Sequence, residues 1–201
     1  MASIYDLKPK FQGFLRPFCR RLAGAGVTAN QVTILAILIS IAHGGALAIW
    51  PGNRLVLILL PITLFMRMAL NAIDGMLARE HGQKTRLGAI LNELGDVTSD
   101  AALYLPFALI AGLSPAAGVL AGILAVMVEM TGALGHAIGA GRHYEGPMGK
   151  SDRAFAYGVL AFLLGIWLSP APWAPLYQWL IVALLAVTIV NRARKILAAV
   201  P

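Results

Sequence analysis

A succession of long apolar stretches, separated by short polar breaks, constrains this chain more than any other feature. With 59% hydrophobic and 12% charged residues among 201, the chain has too little polar surface for a soluble domain. Most stretches reach the roughly 20 residues that a helix needs to cross about 30 Å of hydrocarbon. The sequence therefore predicts an all-α polytopic membrane protein with six transmembrane helices, over residues 28–50, 55–79, 87–112, 115–140, 154–169 and 173–191.

Turn-forming residues and charges mark the breaks between these helices. The breaks are Pro51-Gly52-Asn53, Ser114-Pro115, the loop 141–153 and Ser169-Pro170-Ala171-Pro172. Basic residues cluster before the first helix, in alternate loops and after the last helix, whereas the opposite connections hold only Arg54. This alternation predicts both termini in the cytoplasm, in a bacterial inner membrane. The net charge of +7 is too sparse and too segregated to indicate a nucleic-acid partner.

Residues 1–27 are expected to form a separate amphipathic segment on the cytoplasmic face, ahead of a six-helix domain over 28–201. Their apolar and basic residues alternate in a way that fits a helix lying on anionic lipid. A charge cluster that only sets topology is an equally good interpretation. The apolar positions are Phe11, Phe14, Leu15, Phe18 and Leu22.

Six ionisable residues fall inside predicted spans, where charge is costly, so they are expected to face the bundle interior and to serve function. On the second helix, Arg67, Asn71 and Asp74 share one face. On the third helix, polar or small residues recur every four positions. The six charged residues are Arg67, Asp74, Glu93, Asp96, Asp100 and Glu129, and the four-residue repeat is Gly88, Asn92, Asp96 and Asp100.

Helical rise places four oxygen-bearing side chains at similar depth. Asp74 lies roughly 8 Å, and Asn71 roughly 12 Å, from the basic loop that joins the two helices. Asn92 and Asp96 lie roughly 9 and 15 Å from the same loop. Carboxylate and amide oxygens suit hard divalent cations such as Mg²⁺ or Mn²⁺. The pattern predicts a metal site near the cytoplasmic surface, and the alternative is a set of polar residues that holds helices together.

A second tier of charge is predicted deeper in the bundle. Arg67, Asp100 and Glu129 lie roughly 18–21 Å from the cytoplasmic ends of their helices. Arg67 is expected to pair with Asp100, Glu129 or both, because an unpaired buried charge is strongly destabilising. A structural ion cluster behind the site is favoured over direct chemistry.

The spacing of these residues closely resembles a known signature. Asn71-Ala-Ile-Asp74-Gly75-Met-Leu-Ala78-Arg79, eight residues, and then Gly88-Ala-Ile-Leu-Asn92-Glu-Leu-Gly-Asp96 match D-x2-D-G-x2-A-R-x8-G-x3-D-x3-D at six of eight fixed positions. That signature belongs to the CDP-alcohol phosphotransferase (CDP-alcohol phosphatidyltransferase) family. The chain resembles a less characterised bacterial branch of it.

The resemblance implies a homodimeric enzyme of phospholipid biosynthesis. Such an enzyme transfers a substituted phosphoryl group from a CDP-linked lipid, often CDP-diacylglycerol, to an alcohol and releases CMP, with Mg²⁺ or Mn²⁺. Asp74 and Asp96, with Asn71 and Asn92, would hold metal, and Asp96 would be the general base. The cytidine-phosphate pocket would be formed by Gly75, Ala78, Arg79 and Gly88.

Two further segments resemble substrate-binding segments of the family. Asn30 and Thr33, in the run that opens the first helix, would lie near the nucleotide, although Thr28 and its neighbours also suit a helix N-cap. Lys150 and Arg153 would bind a phosphate of the acceptor, although such basic residues also set topology.

The departure from the signature is chemically important. Asparagine stands at positions 71 and 92, where the signature has aspartate. An amide oxygen coordinates a cation but adds no charge, so divalent binding should weaken or fall from two ions to one. Glu93 is close enough to restore some charge. Three classes remain: an active transferase, a degenerate relative that binds nucleotide or lipid without turnover, and, least favoured, a transporter.

Overall fold

A computed structural model describes residues 8–166 and 172–200, which form seven α-helices and one short 3-10 helix, Leu105–Leu109. These described ranges contain no strand, so the all-α prediction is confirmed. The helices are α1 (Lys8–Gly24), α2 (Ala29–Ile49), α3 (Arg54–Glu80), α4 (Arg86–Tyr104), α5 (Pro115–Ala137), α6 (Lys150–Ile166) and α7 (Trp173–Ala199).

Four of these helices, α2, α3, α5 and α7, are long and apolar enough to cross a membrane. The helix α6 has 17 residues, and α4 has 19 residues that include three acids. One face of α4 is nevertheless apolar and exposed, at Leu87, Ile90 and Leu94. The count of six spans remains a prediction, whereas the membrane character of the chain follows from the four apolar helices.

Several helix ends differ from the hydropathy boundaries. The third predicted span ends at Tyr104 rather than 112, because Pro106 cannot continue an α-helix and the chain turns into the 3-10 helix. The helix α6 begins at Lys150 instead of 154, and α7 continues to Ala199 instead of 191, since a helix is free to extend beyond an apolar core. The predicted end at 169 and most of the break 169–172 lie outside the described residues.

The bundle core lies where α3, α4, α5, α6 and α7 meet. The helix α2 packs against α3 and α4, α3 packs against α6, and α5 packs against α4 and α7. Tyr104 of α4 stacks on Tyr157 of α6, with ring centroids 4.0 Å apart. Fully buried leucines such as Leu60 and Leu160 surround this pair. The core therefore fixes the lateral positions of α3, α4 and α6, which carry most of the polar residues.

The helices α2 and α4 approach each other closely at Gly44. A Cβ atom added to Gly44 would lie 2.1 Å from the carbonyl oxygen of Ala102. Small residues permit such backbone contact between helices in membranes. Because Gly44 leaves no room for a side chain, the distance between α2 and α4 is set by backbone atoms.

The helix α1 packs against the C-terminal half of α3. Cys19 lies in a buried cluster with Ile73, and Arg16 forms an ion pair of 2.9 Å with Glu80. Phe14, 82% exposed, points away from the bundle. An apolar outer face on a basic helix is what a membrane-surface position requires. That position for residues 1–27 stays a prediction.

Substituting Gly44 with alanine should destabilise the protein, because the new methyl group would overlap the Ala102 carbonyl. Overpacking of this kind costs about 1–3 kcal/mol. Thermal unfolding in detergent, followed by tryptophan fluorescence, should show a lower Tm for Gly44→Ala. The matched control is Gly45→Ala on the same helix, since a Cβ there meets nothing within 4 Å. Equal Tm values for the two variants would contradict the close contact.

Candidate active site

The residues at the four aspartate positions of the signature lie on α3 and α4, where these helices face each other. Asp74 and Asp96 are buried, and Asn71 and Asn92 are half-buried. The amide nitrogen Nδ2 of Asn71 donates a hydrogen bond of 3.4 Å to Oδ1 of Asp96. Asn92 lies one turn before Asp96 on the same helix. The structure thus brings the predicted faces of the two helices together.

The first turns of α2 complete the wall around Asp74. The hydroxyl of Thr33 donates a hydrogen bond of 2.8 Å to Oδ2 of Asp74. Thr28 caps α2 through reciprocal bonds with Gln31, so the N-cap interpretation of this segment is confirmed, and its place near a nucleotide stays a prediction. One short segment therefore both starts a helix and supplies a hydroxyl to the site.

Asn30 and Gly88 form a narrow gap between α2 and α4. The Asn30 amide donates a bond of 3.4 Å to the hydroxyl of Thr85, which itself caps α4. A Cβ at Gly88 would lie 2.6 Å from the Asn30 amide oxygen. The predicted nucleotide-pocket residues Asn30 and Gly88 are therefore direct neighbours.

The remaining pocket residues lie together near the end of α3. The guanidinium of Arg79 lies alongside Gly75, where a Cβ would be 3.0 Å from one of its nitrogens. Arg79 is exposed and Ala78 is half-buried. An exposed guanidinium beside a backbone without a side chain can accept an anionic ligand.

Asp96 is held by two cations. Its Oδ1 pairs with the ammonium group of Lys150, the first residue of α6, and receives the Asn71 bond as well. The Arg67 guanidinium lies 3.7 Å from the same oxygen and donates to the Asp96 backbone carbonyl at 3.1 Å. Lys150, predicted to bind substrate, therefore lies directly on the predicted general base.

Behind this layer lies a buried ion cluster. Arg67 pairs with Asp100 at 2.5 Å. Asp100 is one of the two partners predicted for Arg67, and the other, Glu129, pairs with Arg153 and Arg142 instead. Arg153 bridges Asp100 and Glu129, each at 2.6 Å, and donates to the Met148 carbonyl. Arg153 is completely buried. The contact of Arg153 with substrate stays a prediction, and in this structure the donors of Arg153 are used inside the bundle.

Arg142 closes the cluster from the loop between α5 and α6. Its guanidinium pairs with Glu93 and, at 3.4 Å, with Glu129, and it lies 5.3 Å from the ring centroid of Tyr144. Glu93 was expected to restore charge to the metal site. It is instead neutralised by Arg142, a residue that sequence reasoning treated as a topology signal.

Arg192 of α7 is another buried cation that the sequence analysis missed. It donates to the carbonyls of Val128, at 2.6 Å, and Glu145, at 3.2 Å. Arg142 lies in a loop, Arg153 in the first turn of α6 and Arg192 just beyond the apolar part of α7, and basic residues at such positions usually set topology. Their burial depends on how α5, α6 and α7 meet, so spacing within one helix gave no signal for it.

The oxygen donors fit a single divalent ion better than a pair. Asn71 is hydrogen-bonded to Asp96, and Asp74 lies one turn after Asn71 on α3. Their carboxylate and amide oxygens are hard ligands, which Mg²⁺ and Mn²⁺ prefer. In the described part of the chain, no group of three or more His, Cys, Asp or Glu side chains is placed to hold a metal. Amide oxygens would therefore have to complete the coordination.

An apolar groove runs along the outside of α3 and α6. It encloses about 390 Å³ and is lined by Phe65 and Met68 of α3 and by Phe155 and Phe162 of α6. Ser151 lies at its polar end, one residue from Lys150. The groove is therefore an apolar surface whose one polar lining residue is a sequence neighbour of Lys150.

Comparison with known proteins gives matches over nearly the whole chain. The CDP-alcohol phosphatidyltransferase model matches residues 26–190. The chain is 43% identical to inner membrane protein YnbA of Escherichia coli (strain K12) over 97% of this chain and 96% of that protein. It is 35% identical to phosphatidylinositol phosphate synthase of Mycobacterium tuberculosis (strain ATCC 25618 / H37Rv), over 47% of this chain and 42% of that enzyme.

Solved structures share the fold. Crystal structures of Mycobacterium tuberculosis phosphatidylinositol phosphate synthase superpose with TM-scores of 0.67 with CDP-DAG bound and 0.68 with manganese and citrate. The sequence identity is 24%, over 90% of this chain and 92% and 88% of those chains.

Removing Arg67 should destabilise the bundle, because it leaves the Asp100–Glu129–Arg153 group with a net negative charge. Breaking a buried pair costs about 3–5 kcal/mol, and we expect the lower end for Arg67→Met since Arg153 remains. Neutralising the acid as well, in Arg67→Met/Asp100→Asn, should recover part of the loss. Arg194→Met, at an exposed site, is the control. Thermal unfolding in detergent measures the effect, and wild-type stability of Arg67→Met would disprove the role of the pair.

Proposed function

Because the chain belongs to the CDP-alcohol phosphatidyltransferase family, we propose that it transfers a phosphatidyl group from a CDP-linked lipid to an alcohol and releases CMP. The observation that carries this proposal is the convergence of Asp74, Asn71 and Asp96 beside Gly75 and Gly88, in the family spacing. An oxygen-lined recess next to an apolar groove suits a substrate with an anionic head and a lipid tail.

The proposed donor is CDP-diacylglycerol. The groove between α3 and α6 offers apolar surface for an acyl chain, and its polar end at Ser151 lies beside Lys150. A protein of the same fold, phosphatidylinositol phosphate synthase of Mycobacterium tuberculosis, was crystallised with CDP-DAG bound. Burying an acyl chain in the groove would contribute about 25 cal/mol for each Å² of apolar surface removed from water, which favours a lipid-linked donor over a free nucleotide.

The nucleotide end of the donor is assigned to the gap between α2, α3 and α4. Gly75 and Gly88 have no side chains, which lets the polar groups of Arg79 and Asn30 lie against them, and these groups would bind phosphate or cytidine. Arg79 is the exposed cation next to Gly75 and would neutralise phosphate charge. Asn30 would contact the nucleotide, and Thr33 would orient Asp74 through its hydrogen bond. These roles are proposed from position.

Asp74, Asn71, Asn92 and Asp96 would hold the divalent cation, Mg²⁺ or Mn²⁺. When bound, that ion supplies positive charge to the donor pyrophosphate. Asp74 is well suited to this task, because its carboxylate forms no ion pair within the described ranges and is oriented by the bond from the Thr33 hydroxyl. Manganese is present with citrate in the structure of the Mycobacterium tuberculosis enzyme.

Asp96 is the proposed general base. Its carboxylate would take the proton of the acceptor hydroxyl while the acceptor oxygen bonds to the lipid-bearing phosphorus. The bond from that phosphorus to the bridging oxygen then breaks, and CMP departs with the electron pair. Lys150 would stay beside Asp96 and also contact an anionic oxygen of a substrate. Arg153 is proposed as a positioning residue, since it holds Asp100 one turn below Asp96.

The acceptor is proposed to be a hydrophilic alcohol that arrives from the cytoplasm. Two relatives, phosphatidylinositol phosphate synthase and archaetidylinositol phosphate synthase of Pyrococcus horikoshii, are named for inositol phosphate products. The second is 34% identical over 51% of this chain and 52% of that protein. Inositol phosphate, glycerol phosphate and unphosphorylated polyols are therefore the acceptors to compare.

One observation favours the alternative of a member without turnover. Asp96 is engaged by Lys150 and Asn71, and two signature carboxylates are amides. A protein with this site could bind a CDP-linked lipid and leave it intact. The two functions are distinguished by the release of CMP.

The purified protein with CDP-diacylglycerol, Mn²⁺ or Mg²⁺ and a panel of alcohols should release CMP. Asp96→Asn should lower the rate about 10²–10⁴-fold, as expected for loss of a general base, while donor binding persists. Release is followed by chromatography of CMP, and donor binding by equilibrium dialysis in detergent.

Glu80→Gln is the matched control, since Glu80 is an exposed acid at the end of α3 that pairs only with Arg16 among the described residues. It should retain the wild-type rate. Normal turnover by Asp96→Asn would remove Asp96 as the base. Donor binding without CMP release from any alcohol would support the member without turnover.

We also propose that both termini lie in the cytoplasm and that the protein is a homodimer. Single cysteines test the orientation, because burial raises the pKa of the Cys19 thiol and keeps it unreactive. In intact cells, an impermeant maleimide should label Gly52→Cys and spare Lys84→Cys. Labelling of both or the reverse pattern would reject the orientation.

Light scattering in detergent measures the oligomeric state, and a homodimer should give the mass of two chains.

A further inference from the structure

Positive and negative charges are closely matched in the interior of this site. Four acids each pair with at least one cation: Glu93, Asp96, Asp100 and Glu129. Their partners are Arg142, Lys150, Arg67 and Arg153. Asp74 alone adds an unmatched negative charge among the described site residues. The site therefore has far less spare negative charge than its stripe of acids suggests.

Lys150 is part of a ladder of ion pairs between α4 and α6. Lys150 pairs with Asp96, and Arg153, one turn later on α6, pairs with Asp100, one turn later on α4. The lower pair is completely buried, and the Lys150 side chain is 26% exposed. A lysine at the end of such a ladder is positioned by the fold and is not a mobile surface group. It can therefore act as a fixed positive charge.

The charge balance decides how many divalent ions fit. Asp74, Asp96 and Lys150 together carry a formal charge of −1. One divalent ion would bring this to +1, which suits an anionic pyrophosphate, whereas two would bring it to +3 in a poorly solvated region. Charges that close interact strongly where water is scarce. A second divalent ion is therefore disfavoured before substrate arrives.

We propose that the Lys150 ammonium takes the place of a second metal ion, so that the site binds one divalent cation, at Asp74 and Asn71, beside a built-in cation at Asp96. This inference rests on the proposed function and sharpens it. The amides of Asn71 and Asn92 are then consistent with Lys150. Because Lys150 supplies one of the positive charges, the site needs fewer carboxylates to balance its cations.

Mn²⁺ binding to the purified protein without donor or acceptor tests the proposal, by electron paramagnetic resonance titration in detergent. The wild-type protein should bind one Mn²⁺ per chain. Lys150→Met should bind the first ion at least about tenfold more tightly, because a nearby positive charge is removed. Lys150→Arg, which keeps the charge, should behave like wild type.

Lys84→Met is the matched control, since it removes the same charge from an exposed position in the α3–α4 loop. It should leave both stoichiometry and affinity unchanged. In Asn71→Asp/Asn92→Asp/Lys150→Met, four carboxylates face no lysine, and we expect two Mn²⁺ per chain. Circular dichroism and size-exclusion chromatography show whether each variant is folded.

Two equivalent Mn²⁺ ions in the wild-type protein would overturn the proposal, and this result requires no substitution to fold. Unchanged affinity in folded Lys150→Met, or one ion in the folded triple variant, would overturn it as well. These measurements need no turnover. A wild-type protein that binds one Mn²⁺, responds to Lys150→Met and yet releases no CMP would reject the proposed enzyme while it supports this inference.

Discussion

The Arg153 guanidinium, bonded to Asp100 and Glu129, is the interaction on which the rest of the site depends. It joins α4, α5 and α6 at one buried point. Such a group is costly to bury alone, so α6 is driven to a single register against α4. That register places Lys150 on Asp96 and sets the polar end of the α3–α6 groove. The need to neutralise these buried charges thus fixes the relative positions of the site residues.

The periodicity of the sequence was sufficient for the parts of this site that lie along single helices. Asn71 and Asp74 share a face of α3, and Asn92 and Asp96 share a face of α4, so their approach follows from one short antiparallel connection. Depth limited the partner of Arg67 to Asp100 or Glu129, and the structure shows Asp100. The fold class follows from apolar length. These features were predictable because helical rise and rotation are fixed by the backbone.

The contacts between helices far apart in the sequence could not be obtained in this way. Arg142 and Arg153 have the spacing of topology signals, and only the meeting of α5 and α6 shows that they neutralise Glu93, Asp100 and Glu129. Helix ends were missed for a related reason: hydropathy measures the preference for lipid and not the hydrogen bonds that end a helix. Pro106 ended α4 inside an apolar run.

The close approach at Gly44 has a consequence for motion. Two helices in direct backbone contact can neither rotate nor slide past one another without a steric clash, so α2 and α4 behave as one rigid plate. Thr33 and Asp96 both lie on that plate, and a Cβ at Gly95 would lie 3.8 Å from the Thr33 methyl group. We therefore expect an opening that admits a substrate to involve α6 and the loop before it more than α2 and α4. Among the described helices, α2 and α4 would then form a fixed wall of the site, and α6 the wall that moves.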